Sequence, residues 1–560
     1  MSTCALFGFT GFVGHWLLRN KTFTSLYNSK NIESARGQQF DTVYFCALPA
    51  AKWLANKDPE NDWRNIVAIQ DVLKSVNITK KLVLISTVDV YDTSVTGQNE
   101  TTKPTATHAY GRHRFAFEEF VREHFDNVIV VRLPALFGRG LKKNVIYDLL
   151  NNNCVENISR ATHFQWYNMQ WLVRDLDAIC SKNSSGTFNL CTEPLATESI
   201  LQLFPDSVNN CVVKTSPTVS YDIETIFAEH LVRAAKKDQP RYVRTKETVL
   251  ADISAYTQAQ TKQLTQTGRA KKGISAIALA KLAPEHVPIE TAWIQFCALS
   301  NWFDMDYCEV APTVLFQTWE GFFAANAAVK LVADTQRLLG AKKLVPPQYS
   351  LQSITYGLRD LNIFCEKTSD KLLAHIVNVA KAALPTQSRI MVFGSPVNRR
   401  VPDGMSLCAA QQIAAVFFRK LGDALDQEKL DQFTLCVENN SSAYKCNFLT
   451  TSSETAEFVK LVDHARIGMT LDVGNAMLEN ESDEIMNTID KHIGLIKHVH
   501  VSQPYMRPLH KNDTYFHESV ARKLQEVGYS RGITLEMLCE NGWQEFSDSV
   551  SLFKEWYGDV

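Results

Sequence analysis

No two of the 13 cysteines stand in Cys-x-x-Cys spacing, their number is odd, and they are scattered along the chain. This argues against a zinc ribbon, a dithiol redox pair and a disulfide framework, and a reducing, cytoplasmic setting is expected. No apolar run approaches the roughly 18 residues of a membrane span. No basic segment leads into an apolar stretch at the start, so neither a membrane anchor nor a removed leader is expected. An excess of charge is also missing: 58 Lys and Arg face 60 Asp and Glu, with no long run of one sign. That argues against a nucleic-acid track and a polybasic membrane patch. A small molecule is the expected partner, and self-association is left open.

What is present is an ordinary globular composition, 45% hydrophobic and 21% charged, over 560 residues. A single hydrophobic core stops growing near roughly 250–300 residues, so two large domains are expected. In the first 200 residues short apolar runs ("CALFG", "FTSLYN", "DTVYFCAL", "KLVLIST", "VIVVRLP") alternate with amphipathic stretches. Such alternation predicts βαβ units, here a Rossmann doubly wound parallel sheet over residues 1–245. Residues 246–272 are polar and helix-permissive and are expected to form a helical linker. Beyond them eight strand-like runs recur, "GISAIAL", "YCEVAP", "YSLQSITY", "RIMVFGSP", "FTLCVENN", "IGMTLDVGN", "KHVHVS" and "GITLEML". Their spacing fits a (β/α)8 TIM barrel over residues 273–560; a second open α/β sheet is the alternative.

Gly8, Gly11 and Gly14 follow strand-like "TCALF" and open helical "HWLLRN". Glycines at a strand-to-helix junction let the backbone turn tightly and bring amides against a pyrophosphate at a helix N-terminus. Cofactor binding is therefore placed on Gly8, Thr10, Gly11, Phe12, Val13 and Gly14. With "LISTVDVY", "AYGRHR" and "VIVVRLPALFGRG", this "GFTGFVG" segment resembles an extended short-chain dehydrogenase/reductase of the NAD-dependent epimerase/dehydratase family. The resemblance implies hydride transfer at a sugar carbon, with Thr87 at the catalytic Ser/Thr position, Tyr110 at the proton-transferring tyrosine, and Arg114 where the family has lysine. A free tyrosine is a poor base at neutral pH unless a cation favours phenolate. Arg114, four residues on in a helix, shares the face of Tyr110. It brings permanent charge, but its planar fork does not reproduce an ammonium's contacts.

The family's 4,6-dehydratases carry Asp-Glu after the threonine, where this chain has Val88-Asp89. The acid is missing, so reduction, oxidation or epimerisation is expected rather than dehydration, and Asp89 is open to being a solvated loop residue. After the second strand "YNSKN" lacks the acidic residue that accepts the NAD 2′-hydroxyl, whereas Ser29 and Lys30 suit a 2′-phosphate. NAD(P) is expected, with a lean to NADP; plain turn chemistry explains a Ser-Lys pair equally well.

In barrels the chemistry sits at the C-terminal strand ends. The last four runs end in Glu438, Asp472, His500 and Glu536. Three carboxylates and an imidazole gathered at one buried mouth would repel unless a divalent cation neutralised them, and mixed O/N ligation suits Mn²⁺, Mg²⁺, Co²⁺ or Zn²⁺. Residues 273–560 resemble the xylose-isomerase-like TIM barrels, including sugar isomerases, ketose 3-epimerases and sugar phosphate isomerase/epimerase relatives. That resemblance implies all four residues as metal ligands, with Glu438 and Glu536 also moving protons beside a metal-polarised carbonyl. Asn475 stands where the epimerases have a substrate-binding histidine. Glu309, Gln352, Asn398 and the stretch 443–450 follow strands and are expected to shape the pocket, and Arg399 or Arg400 to clamp a phosphate or carboxylate.

The combined expectation is a bifunctional carbohydrate-modifying enzyme acting on a sugar, sugar phosphate or nucleotide sugar. Fusion would raise the concentration of one site's product at the other. The rival readings are a dinucleotide-sensing, non-catalytic first half on a catalytic barrel, and a metal-dependent phosphodiester hydrolase. The scarcity of strand-end histidines and the balanced charge speak against the last.

Overall fold

The short apolar runs become two separate sets of parallel strands. The protein is described by a computed structural model covering residues 2–204, 220–231, 241–261, 269–340, 348–386 and 388–560. It separates into two compact units, Met1–Thr265 and Gln266–Val560. Among the described residues no helix is long and apolar enough to cross a membrane.

The first unit is built on a six-stranded sheet whose spatial order is Ser25–Tyr27, Cys4–Phe7, Gln39–Phe45, Asn77–Thr87, Val128–Leu133 and Gly186–Asn189. Every pairing is parallel. Val128–Leu133 is buried throughout, as a parallel strand covered on both faces must be. The order reverses beside the first strand, and in such sheets the ligand crevice opens at the carboxyl ends there. The Gly8–Gly14 loop leaves the first strand at that point, and Thr87 ends the fourth. The helix Ala109–His124 is tied to the sheet by a buried ion pair: Arg132 of the fifth strand reaches Glu118 at 2.5 Å, and Ser86 donates to Glu118 at 2.5 Å. This fixes the face that carries Tyr110 and Arg114.

Two features of this unit differ from the expectation. A sixth strand, Gly186–Asn189, completes the sheet. The segment expected to begin the helical linker is a helix, Lys246–Thr261, as expected, but it belongs to the first unit: its Val249 and Ile253 pack with Phe137, Ile146 and Ile200 in that unit's core. Residues 262–268 of that expected linker lie outside the described residues.

In the second unit all eight expected runs supply strands: Lys271–Ser275, Tyr307–Val310, Gln348–Leu351, Ile390–Phe393, Thr434–Glu438, Ile467–Asp472, Ile496–Val501 and Gly532–Leu535. They close in sequence order into a parallel barrel, the last pairing with the first. Register places Asp472 beside His500 and His500 beside Thr534, so the polar residues ending the apolar runs share one mouth. Deeper inside, Tyr307 fills the barrel and its hydroxyl lies 2.8 Å from Thr534 Oγ1. A Cβ on Gly273 would sit 2.1 Å from the Tyr307 ring. Gly273→Ala is therefore expected to cost about 1–3 kcal/mol as overpacking, read as a fall in the urea midpoint. Gly494→Ala, with nothing within 4 Å of its added carbon, serves as the neutral control.

Candidate functional site

Glu438 ends the fifth barrel strand, Asp472 ends the sixth, His500 lies near the end of the seventh, and Glu536 follows the eighth. One ligand atom from each lies within 4.8 Å of all the others, and all four side chains are buried. His500 Nδ1 is 2.7 Å from Glu438 Oε1 and 3.3 Å from Glu536 Oε2. Neither Glu438 Oε1 nor His500 Nδ1 makes a hydrogen bond. Burial pushes Glu438 above the usual carboxylate range, His500 opposes, and Glu536 adds to it. Burial, then Glu438 and Glu536, push Asp472 well above that range. Buried lone pairs left without partners, and carboxylates destabilised by one another, are what a divalent cation relieves, so the four residues fit one.

The surroundings reserve space for these groups and turn them. A Cβ on Gly394 would lie 1.9 Å from Glu438 Oε2, so only glycine leaves that carboxylate its place. The Asp472 carboxylate accepts from the Asn475 backbone at 2.8 Å and from the Asn475 side chain at 2.9 Å. Asn475, where the epimerases have a substrate-binding histidine, thus holds Asp472. Asn439 Oδ1 accepts from the Asp472 backbone N–H at 2.9 Å.

Glu309, expected at the pocket, is instead fully buried in the second strand, with Oε2 3.1 Å from Nε2 of both His498 and His500. Burial alone would raise its carboxyl, but the two histidines hold it well below the usual range. A carboxylate acceptor requires Nε2 to carry the proton, so in the neutral ring it is the Nδ1 lone pair of His500 that faces Glu438 and Glu536. Burial opposes charging of His500, yet Glu309, Glu536 and Glu438 together raise it well above its ordinary value.

The other pocket expectations are redistributed. Gln352 donates to Ser275 Oγ, and Asn398 donates to the Leu358 and Leu361 carbonyls, so both brace loops. Arg400 is exposed. Arg399 is fully buried, donates from one terminal nitrogen to the Glu438 carbonyl at 2.7 Å, and leaves Nε and the other terminal nitrogen without a hydrogen bond. Tyr444, from the stretch 443–450, feels Asp472, Glu536 and Glu438, although burial is the main cause of its upward shift.

In the first unit Gly8 adopts φ +90°, and a Cβ there would lie 2.5 Å from the Cys46 carbonyl oxygen. A Cβ on Gly14 would lie 2.2 Å from the Gly8 carbonyl oxygen. Gly11 differs: its added carbon would meet only the Gly8 oxygen, at 3.2 Å, and Gly11 and Thr10 are exposed. Phe12 and Val13, the first residues of the helix Phe12–Leu18, are half-buried. The loop is thus tight on its protein side and open where a pyrophosphate would approach, which fits a dinucleotide. Ser29 and Lys30 are exposed just beyond the second strand.

Thr87 and Tyr110 come together, the threonine hydroxyl acting on the phenol. Arg114 does something else. Its guanidinium lies over the face of the Tyr110 ring, 4.0 Å from the centroid. Its fork holds both oxygens of Asp62, at 2.5 and 3.1 Å, and it donates to the Pro49 carbonyl. Burial raises the Asp62 carboxyl, but Arg114 and His113 hold it below the usual range. The charge is thus spent on Asp62, and burial pushes the Tyr110 phenol up to about 12 although Arg114 pulls the other way. Sequence reasoning also missed Lys52 and Tyr221. Both hydrogen-bond Asp89, and neither carries a local motif.

Arg114 and Asp62 are only 2% and 5% exposed, and removing one partner of a buried pair strands the other charge. Asp62→Asn is expected to destabilise the first unit by about 3–5 kcal/mol, measured by chemical denaturation. Loss of less than about 1 kcal/mol, the value of a surface pair, would contradict the buried-pair assignment.

Compared with protein families, residues 5–159 match the NAD dependent epimerase/dehydratase family and residues 348–556 match the xylose isomerase-like TIM barrel. Curated proteins gave no match. Similar solved structures include MoeE5 in complex with UDP-glucose and NAD, at 15% identity over 46% of this chain and 100% of that one, TM-score 0.38. A dTDP-4-dehydrorhamnose reductase from Yersinia enterocolitica matches at 15% over 46% and 100%, TM-score 0.36. The 3-keto-D-glucoside 4-epimerase YcjR from E. coli, apo form, matches at 16% over 51% and 100%, TM-score 0.39. The chain therefore joins a segment of the NAD dependent epimerase/dehydratase family to a segment of the xylose isomerase-like TIM barrels.

Proposed function

We propose that the protein is a bifunctional carbohydrate-modifying enzyme in which the barrel, residues 273–560, is a divalent-metal-dependent sugar or sugar phosphate isomerase/epimerase. The observation that carries this reading is the convergence of Glu438, Asp472, His500 and Glu536, with the facing atoms Glu438 Oε1 and His500 Nδ1 buried and unbonded. These four residues would hold the ion, of the Mn²⁺, Mg²⁺, Co²⁺ or Zn²⁺ class, and a bound ion there supplies Lewis-acid polarisation of a sugar carbonyl. Glu438 and Glu536 take and return the proton of the adjacent carbon. Asn475 and Asn439 orient Asp472, and Glu309 fixes the nitrogen that His500 presents.

The first unit, which includes the helix Lys246–Thr261, forms in this reading an NAD(P)-linked sugar or nucleotide-sugar oxidoreductase/epimerase. Gly8, Thr10, Gly11, Phe12, Val13 and Gly14 would hold the dinucleotide, which supplies a hydride acceptor or donor when bound. Exposed Ser29 and Lys30 suit a 2′-phosphate and favour NADP. Tyr110 and Thr87 handle the hydroxyl proton. A second reading, in which this unit senses dinucleotide without turnover, is favoured by the commitment of Arg114 to Asp62 and by the phenol raised to about 12.

Metal analysis of the purified chain is expected to find one divalent ion retained or taken up per chain, and chelation is expected to abolish isomerisation across a panel of ketoses and their phosphates. Absence of any bound ion would overturn the barrel reading. Glu309→Gln is expected to weaken Mn²⁺ affinity about 10–100-fold, measured by competition with a chelator. Glu438→Gln and Glu536→Gln are each expected to lower kcat about 10²–10⁴-fold in the metal-loaded protein, followed by solvent deuterium exchange at the carbon beside the carbonyl.

A further inference from the structure

Asp89 is not a solvated loop residue. Its side chain is 16% exposed, and groups from separate parts of the first unit close on it. Lys52 Nζ lies 2.7 Å from Oδ1, and the Tyr221 hydroxyl donates to the same oxygen at 2.8 Å. Lys52 also donates to the Tyr221 oxygen at 3.0 Å, closing a triangle. On the other side of the carboxylate, Thr87 Oγ1 lies 3.4 Å from Oδ2 and accepts from the Asp89 backbone N–H at 3.2 Å. His108 Nε2 stands 4.0 Å from Oδ1, and both Asp89 and Thr87 act on the Tyr110 phenol. An ammonium is thus linked to Thr87 and Tyr110 through the Asp89 carboxylate, which it holds by one oxygen while Thr87 lies by the other.

Stability does not account for this arrangement. The Lys52 side chain is 38% exposed, and an ion pair at that exposure adds little while ordering a long side chain. What the triangle does achieve is to hold one compact cation in a fixed place. An ammonium has three donors. Asp89 and Tyr221 take two among the described residues, which leaves one for an oxygen of a ligand. The Arg114 guanidinium, over the Tyr110 ring, is forked onto Asp62 through its terminal nitrogens, and the one nitrogen without a hydrogen bond, Nε, is buried.

We infer that Lys52, held by Asp89 and Tyr221, is the cation of the first unit's site, supplying from the start of the helix Lys52–Lys57 what Arg114 does not, and donating to a hydroxyl oxygen of a bound sugar or of the cofactor ribose. The inference rests on the reading of this unit as an NAD(P)-linked enzyme. It makes Lys52 a substrate- or cofactor-contacting residue, with Asp89 and Tyr221 as its positioning residues.

The test uses the full chain with two probes: the tighter-binding of NADPH and NADH, and UDP-glucose. Reductive methylation read by mass spectrometry is expected to label Lys52 and Lys57 in the free chain, and the two probes together to slow labelling of Lys52 about tenfold at ten times their dissociation constants, with Lys57 unaffected. A chain that binds the dinucleotide but leaves Lys52 equally reactive loses this inference alone. A chain that binds neither probe loses the reading of the first unit and the inference together. Where NADP⁺ or NAD⁺ is reduced by a nucleotide sugar, Lys52→Met is expected to lower kcat about 100-fold or more while the melting temperature stays unchanged. A kcat near that of the unaltered chain overturns the assignment, and where no sugar is turned over the labelling result decides.

Discussion

Three carboxylates and an imidazole held within one small, buried volume set the terms for the rest of the barrel. Closure of eight parallel strands brings all their C-terminal ends to one mouth, so residues far apart in sequence meet there by topology. Their mutual repulsion must be answered, and the surrounding residues arrange for it. Glycine at 394 leaves room for one carboxylate, Asn475 and Asn439 fix a second, and Glu309 decides which imidazole nitrogen faces the cluster.

The first unit handles its buried charge in the opposite way. Arg114 is matched by Asp62, and Arg132 by Glu118, each with close hydrogen-bonded contacts. In such pairs the charge of each partner is answered by the other, and breaking one costs far more than its formation contributes. The contrast separates structural from chemical use of charge. Cations with an internal partner hold the helix Ala109–His124 in place, whereas the barrel mouth keeps donors unmatched. Lys52 falls between the two, tied to Asp89 and Tyr221 yet partly open to solvent.

How much of this was legible in the sequence depended on distance along the chain. Each barrel strand is a local apolar run ended by its own polar residue, so all eight strands and the set Glu438, Asp472, His500 and Glu536 could be read directly. The sixth strand of the first unit, "GTFN", is four residues long and half polar, and no periodicity can develop over that span. Residues 246–261 read as the helical start of a linker because the stretch is polar overall, and its few apolar residues, among them Val249, Leu250, Ile253 and Tyr256, are what pack it into the first unit. The positions misread at the sites are those whose role is set by a remote partner. Glu309 meets a histidine 191 residues away, Arg114 meets an aspartate 52 residues away, and Asp89 meets a tyrosine 132 residues away. A helix register places Arg114 on the same face as Tyr110, but it does not say what else waits on that face.

A single oxygen, Glu309 Oε2, serves the rings of both His498 and His500. His498 lies one strand repeat below the mouth, is wholly enclosed, and contacts Thr534 and the Tyr307 ring in the barrel interior. Through that common acceptor, the packing of the barrel's centre and the orientation of the ring at its mouth become one mechanical unit. A repacking at Tyr307 or Thr534, out of reach of any ligand, would therefore be transmitted to the rim, and the interior of this barrel is free to vary only as far as His500 can keep its pose.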